Sequence, residues 1–132
     1  MKIIVDTCIW SLALRRKNDN QLSEVQELKN LILDQRVQMI GPVRQELLSG
    51  IKSIRQFNTL KSYLFAFPDL LIRTQDYELA AEYFNTNRKY GIQGSNTDFL
   101  ICALSHNYDM PVFTIDRDFT EYSKNIPIVL YK

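Results

Sequence analysis

Four carboxylates stand where an α/β chain could do chemistry: Asp6, Glu46, Asp98 and Asp116. Asp6 closes Lys2-Ile3-Ile4-Val5, a short buried strand by its composition, and Asp116 follows Val112-Phe113-Thr114-Ile115, another β-prone run. Asp98 lies in the turn Gly94-Ser95-Asn96-Thr97-Asp98, which flows into the apolar helix Phe99-Leu100-Ile101-Cys102-Ala103-Leu104. Glu46 sits about one turn into a helix that begins at Gly41-Pro42, directly after the strand Val37-Gln38-Met39-Ile40. In open α/β sheets ligands bind beyond the carboxyl ends of the strands, so these acids share one crevice. Carboxylates confined together repel, and either one takes a proton or a cation binds. Hard oxygen donors without Cys or His favour Mg²⁺ or Mn²⁺ over zinc. Such an ion acidifies a bound water and neutralises charge building on a phosphate.

Each acid also has a plainer account. Asp6 can simply end a strand, and Glu46 can be an exposed helical charge. Asp98 completes Ser95-x-x-Asp98, a helix-capping pattern. Asp116 and Asp118 can cap a short helix from Phe119 to Ser123. The functional reading rests on their joint placement.

The elements that must position the acids alternate along the chain. Thr7 is the expected cap of a helix carrying Ile9, Trp10, Leu12 and Ala13. The basic run Arg15-Arg16-Lys17 is either a solvated face or a phosphate contact. Leu22, Val25, Leu28, Leu31 and Ile32 predict a helix over 21–34, and Ile54, Phe57, Leu60, Tyr63 and Leu64 another that stops before Pro68. Leu70-Leu71-Ile72 reads as a short strand or extended link. Thr74 is then the expected cap of a helix that ends at Gly91, and Pro127-Ile128-Val129-Leu130-Tyr131 reads as a final strand. The pattern predicts a single α/β domain over 1–132 with a mainly parallel central sheet flanked by helices.

Composition bounds the function. An apolar share of 45% and a charged share of 23% over 132 residues describe a globular domain with a real core. No apolar run approaches the roughly 20 residues of a membrane helix. Asp6 also comes too early for a signal-peptide core, which makes the cytoplasm the expected location. Cys8 and Cys102 lack metal-site spacing and read as buried free thiols, and the single histidine, His106, falls at a helix end. A His-ligated zinc site or a Ser-His-Asp triad has little material here. With four of the 15 acids set aside in a pocket, 16 Lys and Arg stand against 11 acids elsewhere. An acidic pocket in a basic surround suits a polyanion held over metal ions.

Together, Ile4-Val5-Asp6-Thr7, Glu46, Asp98-Phe99-Leu100-Ile101-Cys102-Ala103 and Thr114-Ile115-Asp116-Arg117-Asp118-Phe119 give the chain its likeness. It resembles the PIN-domain ribonucleases, in particular the small VapC-type toxins of toxin–antitoxin pairs. The resemblance implies a PIN-like fold and Mg²⁺- or Mn²⁺-dependent endoribonuclease activity. It makes Asp6, Glu46, Asp98 and Asp116 the catalytic, metal-binding acids, with Thr7 and Thr114 in support. Asp118 either faces the metal or caps the next helix. It further implies an RNA substrate, an antitoxin protein partner and a homodimer. Arg15, Arg16, Lys17 and Arg117 are the candidates for holding the RNA backbone. The apolar residues Ile54, Phe57, Leu60 and Leu64, with Leu22, Val25 and Leu28, either fill the core or form a groove for an antitoxin segment. Two other classes fit the same acids: a phosphatase or phosphotransferase using Asp116-x-Asp118, and a non-catalytic binding module of PIN-like fold.

Overall fold

The computed structural model describes residues 1–14 and 22–132. Arg15, Arg16 and Lys17 therefore lie outside the described residues. The elements run β1 (Ile3–Val5), α1 (Thr7–Leu14), α2 (Ser23–Leu33), β2 (Val37–Gln38), α3 (Gly41–Leu48), α4 (Ile54–Leu64), α5 (Thr74–Lys89), α6 (Asn96–Tyr108), β3 (Val112–Phe113) and α7 (Asp118–Ser123). β1 is central in a parallel sheet of order β2-β1-β3, with Ile3 opposite Val37, Ile4 opposite Val112 and Val5 opposite Phe113. Parallel strands carry helices on both faces, and Ile3, Ile4 and Val5 are accordingly buried throughout. The single domain is α/β, with helices flanking a parallel sheet.

α6 forms beside this sheet from a run that is apolar all round. Every residue from Phe99 to Ser105 is buried, which is how such a helix avoids water. Ser95 caps it by accepting the Asp98 N–H at 3.0 Å. At its far end Asp109 adopts a left-handed φ of 54°, and Met110 N–H returns to the Ser105 carbonyl at 3.0 Å. α5 lies along α6. Its buried Asp76 accepts from Arg73 N–H (2.9 Å), Asn107 Nδ2 (2.8 Å) and Tyr108 Oη (3.0 Å), tying the start of α5 to the end of α6.

The structure corrects four expectations. Thr7 and Thr74 do not cap: each is the first residue of its helix, and the caps come from the carboxylates of Asp6 and Asp76. A carboxylate is the stronger acceptor and suits the positive end of a helix, so it takes the orphan N–H groups. The final strand shrinks to one parallel bridge between Val112 and Leu130, because only Val112 N–H to Val129 and Tyr131 N–H to Val112 join it to β3. Of the two readings of Leu70-Leu71-Ile72 the extended link holds, touching the sheet through the bridge between Met39 and Asp69. Cys8 is only half-buried, unlike Cys102.

Removing the Asp76 carboxylate would leave three donors without the buried acceptor that joins them. Asp76→Ala is expected to cost about 1–3 kcal/mol of stability, as the loss of hydrogen bonds to a charged, buried acceptor. Urea denaturation checks this, and a loss below about 1 kcal/mol would contradict the tie between α5 and α6.

Candidate active site

Pairing of β1 with β3 sets the site. Asp6 N–H donates to the Phe113 carbonyl at 2.9 Å, so Asp6 leaves its strand beside Thr114. The Thr114 hydroxyl donates to Asp6 Oδ2 at 2.8 Å and accepts the Asp116 N–H at 2.9 Å. One side chain thus fixes both strand-end acids. The other oxygen, Asp6 Oδ1, accepts the Thr7 N–H at 2.8 Å. The Cys8 thiol adds a weaker contact to Asp6 Oδ2 at 3.3 Å and lies 3.4 Å from the Thr114 hydroxyl.

The remaining acids join from the helices. Thr7 Oγ1 donates to Glu46 Oε1 at 2.5 Å, linking α1 to α3. The Tyr122 hydroxyl on α7 donates to Asp98 Oδ2 at 2.7 Å. Asp116 Oδ1 accepts the Asp118 N–H at 2.9 Å, so Asp116 satisfies the first N–H of α7 from the turn before it. Asp118 is the exposed first residue of that helix, and Arg117 before it is exposed as well. The structure therefore brings Asp6, Thr7, Glu46, Thr114 and Asp116 into one hydrogen-bonded chain, with Asp98 close enough to feel the charges of Asp6 and Asp116. Among the described residues, no three Asp, Glu, His or Cys side chains converge as a tight ligand cluster. Mutually repelling carboxylates spread in this way, each turned by its own donor.

Burial and repulsion set the electrostatics. Burial above all, with the Asp116 charge adding, raises the Asp6 pKa against the hydrogen bonds from Thr114, Cys8 and Thr7. Asp98 is likewise raised, first by burial and then by Asp6 and Asp116, against the Tyr122 and Ser95 bonds. Burial also pushes the Cys8 thiol up, keeping it a neutral donor. Tyr122 is pushed up by burial and by its bond to Asp98. The donor set fits a hard divalent cation: carboxylate oxygens whose ionised forms are disfavoured by their surroundings, and among the described residues no Lys or Arg paired with them.

Two contributors escaped the sequence reading. Cys8 stands two residues from Asp6 at a helix start, a position that could have suggested a contact. Tyr122 stands 24 residues from Asp98, and nothing in the spacing signals it. Its ring is fully buried against Phe99 (centroids 4.7 Å) and Phe119 (5.2 Å). Gly94 makes room for it: a Cβ there would lie 2.7 Å from Tyr122 Cζ and 2.9 Å from Phe99 Cε2.

The PIN domain family model matches residues 3–125. No curated protein matches the chain. Among solved structures, FitAcB from Neisseria gonorrhoeae is similar at 21% identity and a TM-score of 0.76, over 98% of this chain and 96% of that one. VapBC2 from Rickettsia felis, bound to a DNA fragment from their promoter, is similar at 18% identity and a TM-score of 0.78, over 99% and 98%.

Folding raises the pKa of Asp98 above the ordinary 3.8, so the folded chain holds that proton more tightly than the unfolded one. The acid favours folding below 3.8 and works against it once pH passes the raised value. Asp98→Asn has no such proton to lose and gains no charge, so in EDTA its melting temperature relative to wild type should be higher at pH 7.5 than at pH 4. An unchanged difference would contradict the repulsion. Tyr122→Phe and Gly94→Ala test the support beneath Asp98. Each is expected to cost about 1–3 kcal/mol, by loss of a charge-assisted hydrogen bond or by overpacking. Because both act on one ring, the double variant should lose less than the sum of the two, read by urea denaturation.

Proposed function

The chain belongs to the PIN domain family, and from that premise we propose that it is a Mg²⁺- or Mn²⁺-dependent endoribonuclease, the toxin of a toxin–antitoxin pair. The observation that carries the reading is the edge where Asp6 and Asp116 share Thr114. There the acids are held by hydroxyl, thiol and backbone donors, which orient a carboxylate without neutralising it. A Lys or Arg partner would have cancelled the charge a cation needs.

Asp6, Asp98, Asp116 and Glu46 would hold the ion, whose contribution is to acidify water and neutralise charge on the phosphate. The chain's own residues do the positioning. Thr114 holds Asp6 and the start of the Asp116 loop in one arrangement. Tyr122 keeps Asp98 turned by one oxygen, leaving Oδ1 open, and Thr7 keeps Glu46 over the same edge. Arg117, exposed beside Asp116, and Arg15, Arg16 and Lys17 are the candidates for holding RNA phosphates. The reaction is hydrolysis: water attacks phosphorus and the bond to one ester oxygen breaks.

A groove supports the partner. A cavity of about 1020 Å³ runs between α1, α3 and α4, lined by Leu14, Leu47, Ile51, Leu60 and Tyr63, with Glu46 on its wall. α4 buries only Leu64 and leaves Ile54 78% exposed, so this helix does little to fill the core. The likeness to VapC-type toxins implies an antitoxin, and an apolar antitoxin helix or strand laid in this groove would reach the acids with an Arg or Lys. By the same likeness we propose a homodimer in the cytoplasm. Among the described residues no helix is long and apolar enough to cross a membrane.

Replacing Asp6 or Asp116 by Asn keeps shape and removes one ligand charge. Each variant should cut RNA roughly 100- to 1,000-fold more slowly in single-turnover assays with Mn²⁺, the cost of one pre-organised electrostatic contact. RNA binding should survive. Asp118→Asn should change the rate little, as an exposed helix-start residue. Folded Asp6→Asn and Asp116→Asn proteins that cut at the wild-type rate would sink the mechanism. Expression with the adjoining reading frame should yield a tight, inactive complex, and Leu60→Asp, which places a charge in the groove, should release active protein. Full activity from that co-expression with no companion bound would contradict the inhibited pair.

A further inference from the structure

A second cavity is lined by residues next in the chain to two of the acids and has no part in the mechanism above. This cleft of about 480 Å³ opens between the start of α3, one face of α5 and the first turn of α6. Its floor is apolar: Ala80, Phe99 and Leu100 are buried, and Phe84 meets Phe99 edge-on with centroids 5.6 Å apart. Tyr77 stands at the mouth with 55% of its surface exposed. Pro42, Gln45, Ala81, Asn85, Asn96 and Thr97 complete the lining, and no lining residue is charged. Among the described residues, the side-chain amides of Gln45, Asn85 and Asn96 make no hydrogen bond, so their donors and acceptors are free for a ligand.

Place and chemistry point the same way. Gln45 precedes Glu46 on α3 and Thr97 precedes Asp98 on α6, so the two helices that carry Glu46 and Asp98 also supply the cleft's lining. A phosphate would call for cations in the lining, and an aliphatic ligand would have no use for three amides. A flat, uncharged heterocycle with donors and acceptors on its edge uses both the aromatic rings and the amides. Asn and Gln pair a donor with an acceptor, which matches the edge of a nucleobase.

We propose that this cleft receives one base of a single-stranded RNA beside the scissile phosphate, and that Gln45, Asn85 and Asn96 read its edge. The inference rests on the nuclease reading and adds a sequence preference to it. A strand whose phosphate lies over the acids puts its neighbouring base at the cleft. Tyr77 and Phe84 contact the ring, and the amides select among bases.

The test measures binding of fluorescent RNA tetramers to the full chain in EDTA, where the acids do not cut. The tetramers carry each of the four bases, or an abasic site, at one position in turn. Wild type is expected to prefer one base at one position by roughly tenfold or more and to lose that gain with the abasic tetramer. Gln45→Ala and Asn85→Ala, both outside the catalytic acids, should flatten the preference. Ala81→Trp should fill the cleft and abolish it, while the protein still binds Mn²⁺ at the acids. If these variants fold and keep the wild-type preference, the assignment is overturned. It is also overturned if Ala81→Trp only converts a dimer to a monomer by light scattering, which would make the cleft a contact between copies. Wild type that cuts RNA with no base preference sinks this inference and leaves the nuclease reading standing. Wild type that neither binds nor cuts RNA with Mn²⁺ sinks both.

Discussion

The structure turns on one carboxylate that has little water around it. Asp6 is 6% exposed, at the end of the central strand, and an ionised acid in that position is costly unless it is well bonded or paired. It is well bonded. Its two oxygens accept from Thr7, Cys8 and Thr114, and its backbone joins β3 through Phe113. None of those partners carries positive charge, so the residual repulsion toward Asp116 and Asp98 is left for something else to balance.

That arrangement needs the fold as it is. The sheet has β1 in the middle so that Asp6 has a strand end on either side, Ile40 leading to α3 and Thr114 leading to Asp116. α6 must be apolar all round because it is packed against the sheet and α5, and its cap at Ser95 then delivers Asp98 to the same edge. The small residue at Gly94 lets the Tyr122 ring close over this corner. Each acid is thus placed by a backbone feature and aimed by a neutral donor.

Much of this was legible from residues alone. The strands announced themselves because runs buried on both faces are short and continuously apolar, as in Ile3–Val5 and Val112–Phe113. The helix after Ser95 was legible from its cap and its seamless apolar run. Caps were less so, since Thr7 beside Asp6 offers two candidates and only geometry shows that the carboxylate takes the N–H groups. The stretch after Pro127 looked like a strand by composition, yet a proline and a lack of partners leave it with a single bridge. Tyr122 was invisible for a different reason: its bond to Asp98 depends on how α7 folds back, which no local pattern encodes.

The central claim is that these acids form one site whose charge a divalent cation completes. Calorimetric titration of Mn²⁺ into metal-free protein at pH 7.5 tests it most directly, with wild type, Asp6→Asn and Asp116→Asn compared and folding verified for each. The account predicts saturable binding by wild type, with affinity falling roughly tenfold or more in either variant as a ligand charge is removed. No saturable binding by wild type, or variants that bind Mn²⁺ as tightly as wild type does, would contradict it.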